Sequence, residues 1–193
     1  MEYSKVWNNL VSVLKLDKEA MARVANDKNA TAWGVLILFG PPVVNLILAS
    51  FTFSSGFGVM FSRVMFWPMF IPVISIFGII LLMSLIARRF FGGKGDNVGF
   101  FRTVSYSAVV LWLSIVPYIL SIFGILDPVG LYNLIWLAGV IWIIVVSYYM
   151  LIEHHKLDSK DAGTVVALGI IGYFLFRNIL GEILVGDYYR FWY

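Results

Sequence analysis

Five long runs of apolar residues dominate this sequence. A helix needs about 20 largely apolar residues to cross the hydrocarbon core of a bilayer. The second, third and fourth runs reach this length without interruption, whereas Pro41 and Pro42 interrupt the first and Arg177 comes late in the fifth. We count the fifth as a span because an arginine near a helix end can extend its guanidinium to the interface. The runs are residues 31–53, 64–86, 103–124, 131–152 and 162–185.

The composition agrees with a membrane protein. Hydrophobic residues make up 61% of the 193 residues and charged residues only 13%, whereas soluble domains contain about 25% charged residues. A soluble domain of this size has too small a core to bury so much apolar surface. We predict an all-α polytopic membrane protein whose residues 31–185 form a five-helix transmembrane bundle. The absence of cysteine excludes disulfides and thiolate chemistry.

The segment before the first run, residues 1–30, is amphipathic. Apolar residues recur there at three- and four-residue spacing, which is typical of one face of a helix. Asp17 is a candidate N-cap for a second short helix. We predict that the first helix, residues 3–16, is an interfacial helix on the membrane surface; docking to a partner is the alternative. Its apolar face consists of Tyr3, Val6, Trp7, Leu10, Val13 and Leu14.

Basic residues are distributed unevenly over the connecting segments. Most of the 14 Lys and Arg residues lie before the first run, between the second and third, and between the fourth and fifth, whereas Arg63 and Arg190 lie on the other side. The positive-inside rule then predicts a cytoplasmic N-terminus and an external C-terminus. We expect a multi-pass protein of the cytoplasmic (cell) membrane, with residues 186–193 as an external aromatic tail.

The segment "ARRFFGGKGDNVGFFRTVSYS", residues 87–107, is basic and rich in glycine. It is not a phosphate-binding P-loop, because Gly95 takes the position of the required Ser or Thr and no strand precedes it. We predict a hairpin between two spans, whose glycines permit a tight reversal and whose arginines meet anionic head groups. The candidate contacts to lipid or to a partner are Trp7, Arg88, Arg89, Lys94 and Arg102.

The same region resembles the Yip family, the Ypt/Rab-interacting membrane proteins, in its prokaryotic form. In "FFGGKGDNVGFFRTVSYSAVVLWLSIVPYIL", a glycine-rich loop leads into a Phe/Arg pair, then a Tyr-Ser pair, then an apolar span that ends near a proline. "LDKEAMARVANDKNATAWG" and "HHKLDSKDAGTVVAL" resemble two further family segments in the same order. The matching residues of the first segment are Phe101, Arg102, Tyr106, Ser107 and Pro117.

The resemblance implies five spans with a cytosolic N-terminus. Eukaryotic members carry an acidic Asp-Leu-Tyr-Gly-Pro element near the first spans, and this sequence has none there; "DPVGLY" at 127–132 lies in another loop. Binding of a Rab-type GTPase is therefore not implied.

Several polar residues are candidates for chemistry. The two histidines, His154 and His155, are adjacent and point in different directions on a helix, so we predict a solvated basic pair in an inner loop. Charges at membrane depth are functional candidates, so Asn45, Arg177 and Glu182 form a candidate intramembrane polar site. The alternative places Arg177 and Glu182 at the outer head-group level.

Proline and glycine predict features of the spans. Pro41 and Pro42 are expected to break the first span. Small residues in the last span are typical of a close helix-packing surface; they are Gly163, Ala167, Gly169 and Gly172.

The sequence contains neither a recognisable nucleophile–base pair nor a zinc motif, so we expect a non-enzymatic protein without cofactor or bound metal. We predict a scaffold, adaptor or accessory subunit that acts through its cytosolic face. The expected partners are the lipid bilayer, with anionic lipid at the inner face, and other membrane proteins or a second copy of the chain, but not nucleic acid. The alternative is a small permease or channel with a polar cavity near the last span.

Overall fold

The computed structural model describes residues 3–52, 63–125 and 128–186. In these ranges the chain forms α-helices and one 3₁₀ segment, with no strand. The α-helices are α1 (Tyr3–Leu14), α2 (Lys18–Asn26), α3 (Ala30–Thr52), α4 (Arg63–Phe90), α5 (Asn97–Ser107), α6 (Ile115–Ile122), α7 (Pro128–Glu153) and α8 (Ser159–Leu184), and the 3₁₀ segment is Ala108–Ser114.

Five of these units are long and apolar enough to cross a membrane: α3, α4, the continuous unit Asn97–Ile122, α7 and α8. The prediction of an all-α bundle with five spans is therefore confirmed. The ends of α4 and α7 and the beginnings of α3, α5 and α8 share one end of the bundle, where α1 and α2 also pack; we call this the basic end. The predicted aromatic tail lies, beyond Gly186, outside the described residues.

The first span is continuous, so the expected break at Pro41 and Pro42 is wrong. Pro41 has no N–H to donate to the carbonyl of Ile37 four residues earlier. The indole Nε1 of Trp112 donates to that carbonyl instead, at 3.0 Å. Gly40 makes room for the ring, because a Cβ there would lie 2.4 Å from its Cζ2 atom. A neighbouring span thus replaces the missing backbone donor.

The interruption lies in the third span. Its middle, Ala108–Ser114, is a seven-residue 3₁₀ segment, longer than the three or four residues usual for this conformation. Because a 3₁₀-helix rises about 2.0 Å per residue against 1.5 Å for an α-helix, this segment is stretched. It packs against α3 and α7, which explains why Trp112 reaches the first span.

Helices α4 and α8 form the most extensive pairing of two helices in the described structure. Gly169 and Gly172 allow this approach: a Cβ on Gly169 would lie 2.7 Å from the Met83 side chain, and one on Gly172 would lie 2.9 Å from Ile79. Two of the predicted packing residues therefore have that role. Gly163 does not, because a Cβ there would meet no atom within 4 Å.

Helices α1 and α2 pack on the basic end and share its core. Asp17 caps α2 as predicted, accepting the N–H groups of Glu19 and Ala20. On α1, Leu10 and Val13 are buried within the protein, whereas Trp7 is 64% exposed. The interpretation of the whole apolar face as a membrane-binding surface is therefore wrong for Leu10 and Val13, which pack on neighbouring helices.

Candidate functional site

Two loops meet at the basic end. One joins α4 to α5 and contains the glycine-rich residues 91–96; the other joins α7 to α8 through residues 154–158. The backbone N–H of Lys94 donates to the carbonyl of His155 at 2.9 Å, and that of Gly93 donates to the carbonyl of Ala87 at 2.9 Å. These bonds hold the first loop both to its own helix and to the second loop.

His155 is the centre of this contact and is fully buried. Its Nε2 lies 2.9 Å from the hydroxyl oxygen of Ser84, and that hydroxyl donates to Oδ1 of Asn97 at 2.8 Å. Because the single hydroxyl proton is used on Asn97, Nε2 of His155 must be the donor to Ser84. The prediction of a solvated histidine pair is wrong for His155, which is enclosed between α4 and the glycine-rich loop.

The buried ring of His155 is neutral. Burial lowers its pKa from 6.5 to about 4, and the nearby charges of His154 and Arg88 act in the same direction. With the proton on Nε2, the opposite nitrogen Nδ1 is a bare acceptor, and it has no hydrogen-bond partner among the described residues.

His154 is half-buried and contacts Asp96. Its Nε2–H donates to the Asp96 carbonyl at 3.1 Å and lies 3.5 Å from the carboxylate. Asp96 also caps α5 by accepting the N–H of Gly99 at 2.7 Å. Burial by itself raises the pKa of Asp96, but the Gly99 N–H and His154 outweigh it, so the pKa is lowered.

Two glycines of the loop, Gly93 and Gly95, and Gly99 on α5 leave room for the two histidines. A Cβ on Gly95 would lie 2.4 Å from Cδ2 of His154, one on Gly99 would lie 2.9 Å from Cε1 of His154, and one on Gly93 would lie 3.0 Å from Nδ1 of His155. We call this arrangement the histidine clasp; it comprises Ser84, Gly93, Gly95, Asp96, Asn97, Gly99, His154 and His155. The combination of spaced glycines with a distant His-His pair is the sequence signal that could have indicated it.

The clasp contains a serine and a histidine at hydrogen-bond distance, a pair that sequence reasoning missed because 71 positions separate them. A general base accepts the proton of its nucleophile. Here His155 instead donates to the Ser84 oxygen, and the Ser84 hydroxyl donates to Asn97. Neither side chain is open to a substrate, since both are fully buried. No group of three or more His, Cys, Asp or Glu residues within the described ranges is arranged to hold a metal ion.

Further polar contacts attach α2 to the spans. Arg102 donates from Nε to Thr31 Oγ1 at 2.7 Å and from Nη1 to the carbonyl of Ala25 at 2.9 Å. The Thr103 hydroxyl donates to the carbonyl of Met21 at 3.1 Å. Arg102, grouped by sequence with the lipid contacts, is therefore half-buried and bonded within the protein. An ion pair between Lys18 and Glu153 ties α2 to the end of α7.

The other candidate contact residues are exposed. Trp7 projects from α1, Arg88 and Arg89 from the end of α4, and Lys94 from the glycine-rich loop. All four side chains are accessible at the basic end. Their role in binding lipid or a partner stays a prediction.

The three candidate intramembrane residues lie on two helices. Asn45, on α3, is fully buried and donates from Nδ2 to Ser114 Oγ at 2.7 Å. Its Oδ1 has no hydrogen-bond partner within the described residues. Arg177 is half-buried and Glu182 exposed on the last turns of α8, a helix that packs chiefly on α4.

Comparison with known proteins agrees with this architecture. The family model described as "Yip1 domain" matches residues 11–177, from the last turn of α1 to the last turns of α8. No curated protein and no solved structure matches the chain. The match covers most of the sequence, including both loops of the clasp, the first four spans and the fifth span as far as Arg177. The chain belongs to the Yip1 domain family.

Proposed function

We propose that this Yip1 family membrane protein is a non-enzymatic scaffold, adaptor or accessory subunit that acts through its basic end. In this proposal the basic end faces the cytoplasm in the cell membrane, and the C-terminus lies outside. Anionic lipid and another membrane protein, or a second copy of the chain, meet the exposed residues Trp7, Arg88, Arg89 and Lys94.

The observation that carries the proposal is the set of contacts that tie the elements of the basic end to one another. The histidine clasp joins the loops, Arg102 and Thr103 fix α2 to α5, and Lys18 pairs with Glu153. A scaffold needs a surface whose shape does not change on binding, because ordering a flexible surface reduces affinity. We call this surface, α1 and α2 with the two loops, the platform.

The character of the described interior supports a scaffold rather than a permease. Several buried serines donate to carbonyls three or four residues earlier in their own helices, as Ser75 does to Ile71 and Ser147 to Ile143. Such hydroxyls are satisfied locally and offer little to a solute. A permease remains the second candidate because Asn45 keeps an unused Oδ1 inside the bundle.

The test is purification of the full chain in a gentle detergent after cross-linking in the membrane. We expect specific membrane proteins to co-purify with the wild type and to be depleted with the double variant Arg88→Gln and Arg89→Gln. The matched control is Lys15→Gln with Lys28→Gln, which removes the same charge from exposed positions away from the α4 end. Equal recovery from both double variants would contradict partner binding through Arg88 and Arg89, and solute flux into vesicles that is lost in Asn45→Leu would favour the permease.

A further inference from the structure

An apolar groove lies between α4, α7 and α8 at the mid-height of the spans. Its volume is about 210 Å³, and it is lined by Ile76, Ile80 and Met83 of α4, Val140 and Ile144 of α7, and Ile170 of α8, among others. An engineered apolar cavity of about 150 Å³ in another protein stays dry and binds benzene. The groove is larger and equally apolar in its lining, so an apolar ligand, and not water, fits it.

The groove opens sideways towards the bilayer. Leu137 and Ile141 on one rim are 61% and 52% exposed, and Phe174 on the other is 55% exposed. This opening exists because α8 packs extensively on α4 and much less on α7. A chain-like ligand in the membrane can therefore enter between α7 and α8.

Between the groove and the basic end, one face of α8 carries small residues, and we call this face the trench. Ile170, Ala167, Gly163 and Lys160 follow one another at three- and four-residue spacing, which places them on one helix face. A Cβ on Gly163 would meet no atom within 4 Å, so this face carries no bulky side chain before Lys160. From Ile170 to Lys160 the helix rises about 15 Å, close to half of a hydrocarbon core of about 30 Å.

The mouth of the trench carries an exposed ammonium group on Lys160. Two of the acidic residues nearby are already engaged: Asp158 caps α8 by accepting the N–H of Asp161, and Glu153 pairs with Lys18. The Asp161 side chain is the remaining carboxylate of this turn. Because Lys160 lies about 15 Å along α8 from Ile170, a chain seated in the groove would bring its head group to the level of this ammonium group.

We propose that the groove and trench bind one acyl chain of a phospholipid from the leaflet at the basic end, with the phosphate at Lys160. The length of the trench, its lack of bulky side chains, the dry groove and the terminal cation together match a phospholipid and not a free hydrocarbon. This lipid site uses none of the exposed platform residues Trp7, Arg88, Arg89 and Lys94. Its test is therefore independent of the test of partner binding.

The first experiment counts retained lipid. The full chain is reconstituted into phosphatidylglycerol vesicles and extracted again with a mild detergent, and native mass spectrometry measures the phosphatidylglycerol bound per chain. We expect one lipid per wild-type chain and at least about tenfold weaker retention for Gly163→Leu, which obstructs the trench, and for Lys160→Gln. Leu168→Phe, on another face of α8, is the matched control and should retain the lipid.

The second experiment uses the wild-type chain and requires no substitution. A phospholipid with a photoreactive group near the end of its acyl chain is cross-linked to the wild type, and the adducts are mapped by peptide mass spectrometry. Adducts concentrated at Ile144 and Ile170 support the site. Adducts spread evenly over the exposed faces of α8, equal retention in all variants, or a dimer whose second copy fills the groove would each overturn it.

Discussion

The hydroxyl oxygen of Ser84 lies 2.9 Å from Nε2 of His155, and this contact joins α4 to a loop 71 positions further along the chain. Since Ser84 also donates to Asn97, one chain of hydrogen bonds connects the second span, the start of the third and the end of the fourth. Removal of one member of this buried network leaves another polar group unpaired, which is costly in a low-dielectric interior.

Replacement of His155 by Ala should therefore destabilise the protein strongly. The change leaves a cavity and removes the donor to Ser84, at a combined cost of about 2–4 kcal/mol. His154→Ala is the matched control: that ring is half-buried and its loss should cost only about 1 kcal/mol. Thermal unfolding in detergent measures both, and similar losses for the two variants would show that the clasp is not centred on His155.

The clasp also predicts a pH dependence. The pKa of His155 is lowered to about 4, so the unfolded chain, with a histidine pKa of about 6.5, takes up the proton first as the pH falls. The stability that the neutral ring contributes is fully present above about pH 6.5 and is lost as the pH falls through this window to about 4, a change of up to about 3 kcal/mol.

The measurement compares unfolding free energies of the wild type and His155→Gln across this pH range. We expect the wild type to lose stability more steeply than the variant. The lowered pKa of Asp96 contributes to the acid end of both curves, so the difference between the curves reports His155. Parallel curves would mean that the ring does not stay neutral.

The glycine-rich loop offers a steric test. A Cβ on Gly95 would lie 2.4 Å from the His154 ring and 2.8 Å from its carbonyl oxygen, so Gly95→Ala should cost about 1–3 kcal/mol through forced displacement of the loop. Gly130→Ala is the control, since a Cβ there meets no atom within 4 Å on α7. It should be neutral or stabilising by up to about 1 kcal/mol. A neutral Gly95→Ala would mean that the two loops are not in close contact.

The number of spans was predictable because it depends on the length of each apolar run and on nothing remote from it. The decision to count the fifth run as a span despite Arg177 was correct, since α8 continues past this residue to Leu184. The cap at Asp17 was predictable for the same reason: both acceptor and donors lie within three residues.

The clasp and the course of the first span depend on contacts far apart in sequence. Pro41 predicts a broken helix from local rules, but Trp112, 75 positions away from Ile37, supplies the missing donor. His155 has the sequence context of a solvated loop residue, and only the folding of the glycine-rich loop over it shows that it is buried. The 3₁₀ segment carries no proline and no glycine, so its residues alone predict an uninterrupted helix.

A double-mutant cycle tests the repair of the first span. Trp112→Phe removes the indole donor and leaves the Ile37 carbonyl without it, at a cost of about 1–3 kcal/mol. Pro41→Ala supplies a backbone N–H four residues after Ile37, so in that background the cost of Trp112→Phe should fall below about 1 kcal/mol. Trp142→Phe controls for loss of ring volume, because the Trp142 Nε1 has no hydrogen-bond partner within the described residues. If Trp112→Phe cost the same stability in the wild type and in Pro41→Ala, the Trp112 hydrogen bond would not compensate for the proline.

Arg102 distinguishes a structural tie from a lipid contact. Its guanidinium donates to Thr31 and to the carbonyl of Ala25. Loss of both charge-assisted hydrogen bonds should lower the free energy of unfolding by about 1.5–3 kcal/mol. Arg102→Ala should therefore lower the thermal stability and expose residues 17–29 to protease, because α2 loses its attachment to α5. Arg102→Lys should restore little, since an ammonium group lacks the planar fork that reaches both acceptors. Arg88→Ala, at an exposed position, should leave protease access unchanged. If instead Arg102→Ala altered only the affinity for anionic vesicles and left α2 protected, Arg102 would act at the lipid surface and not within the fold.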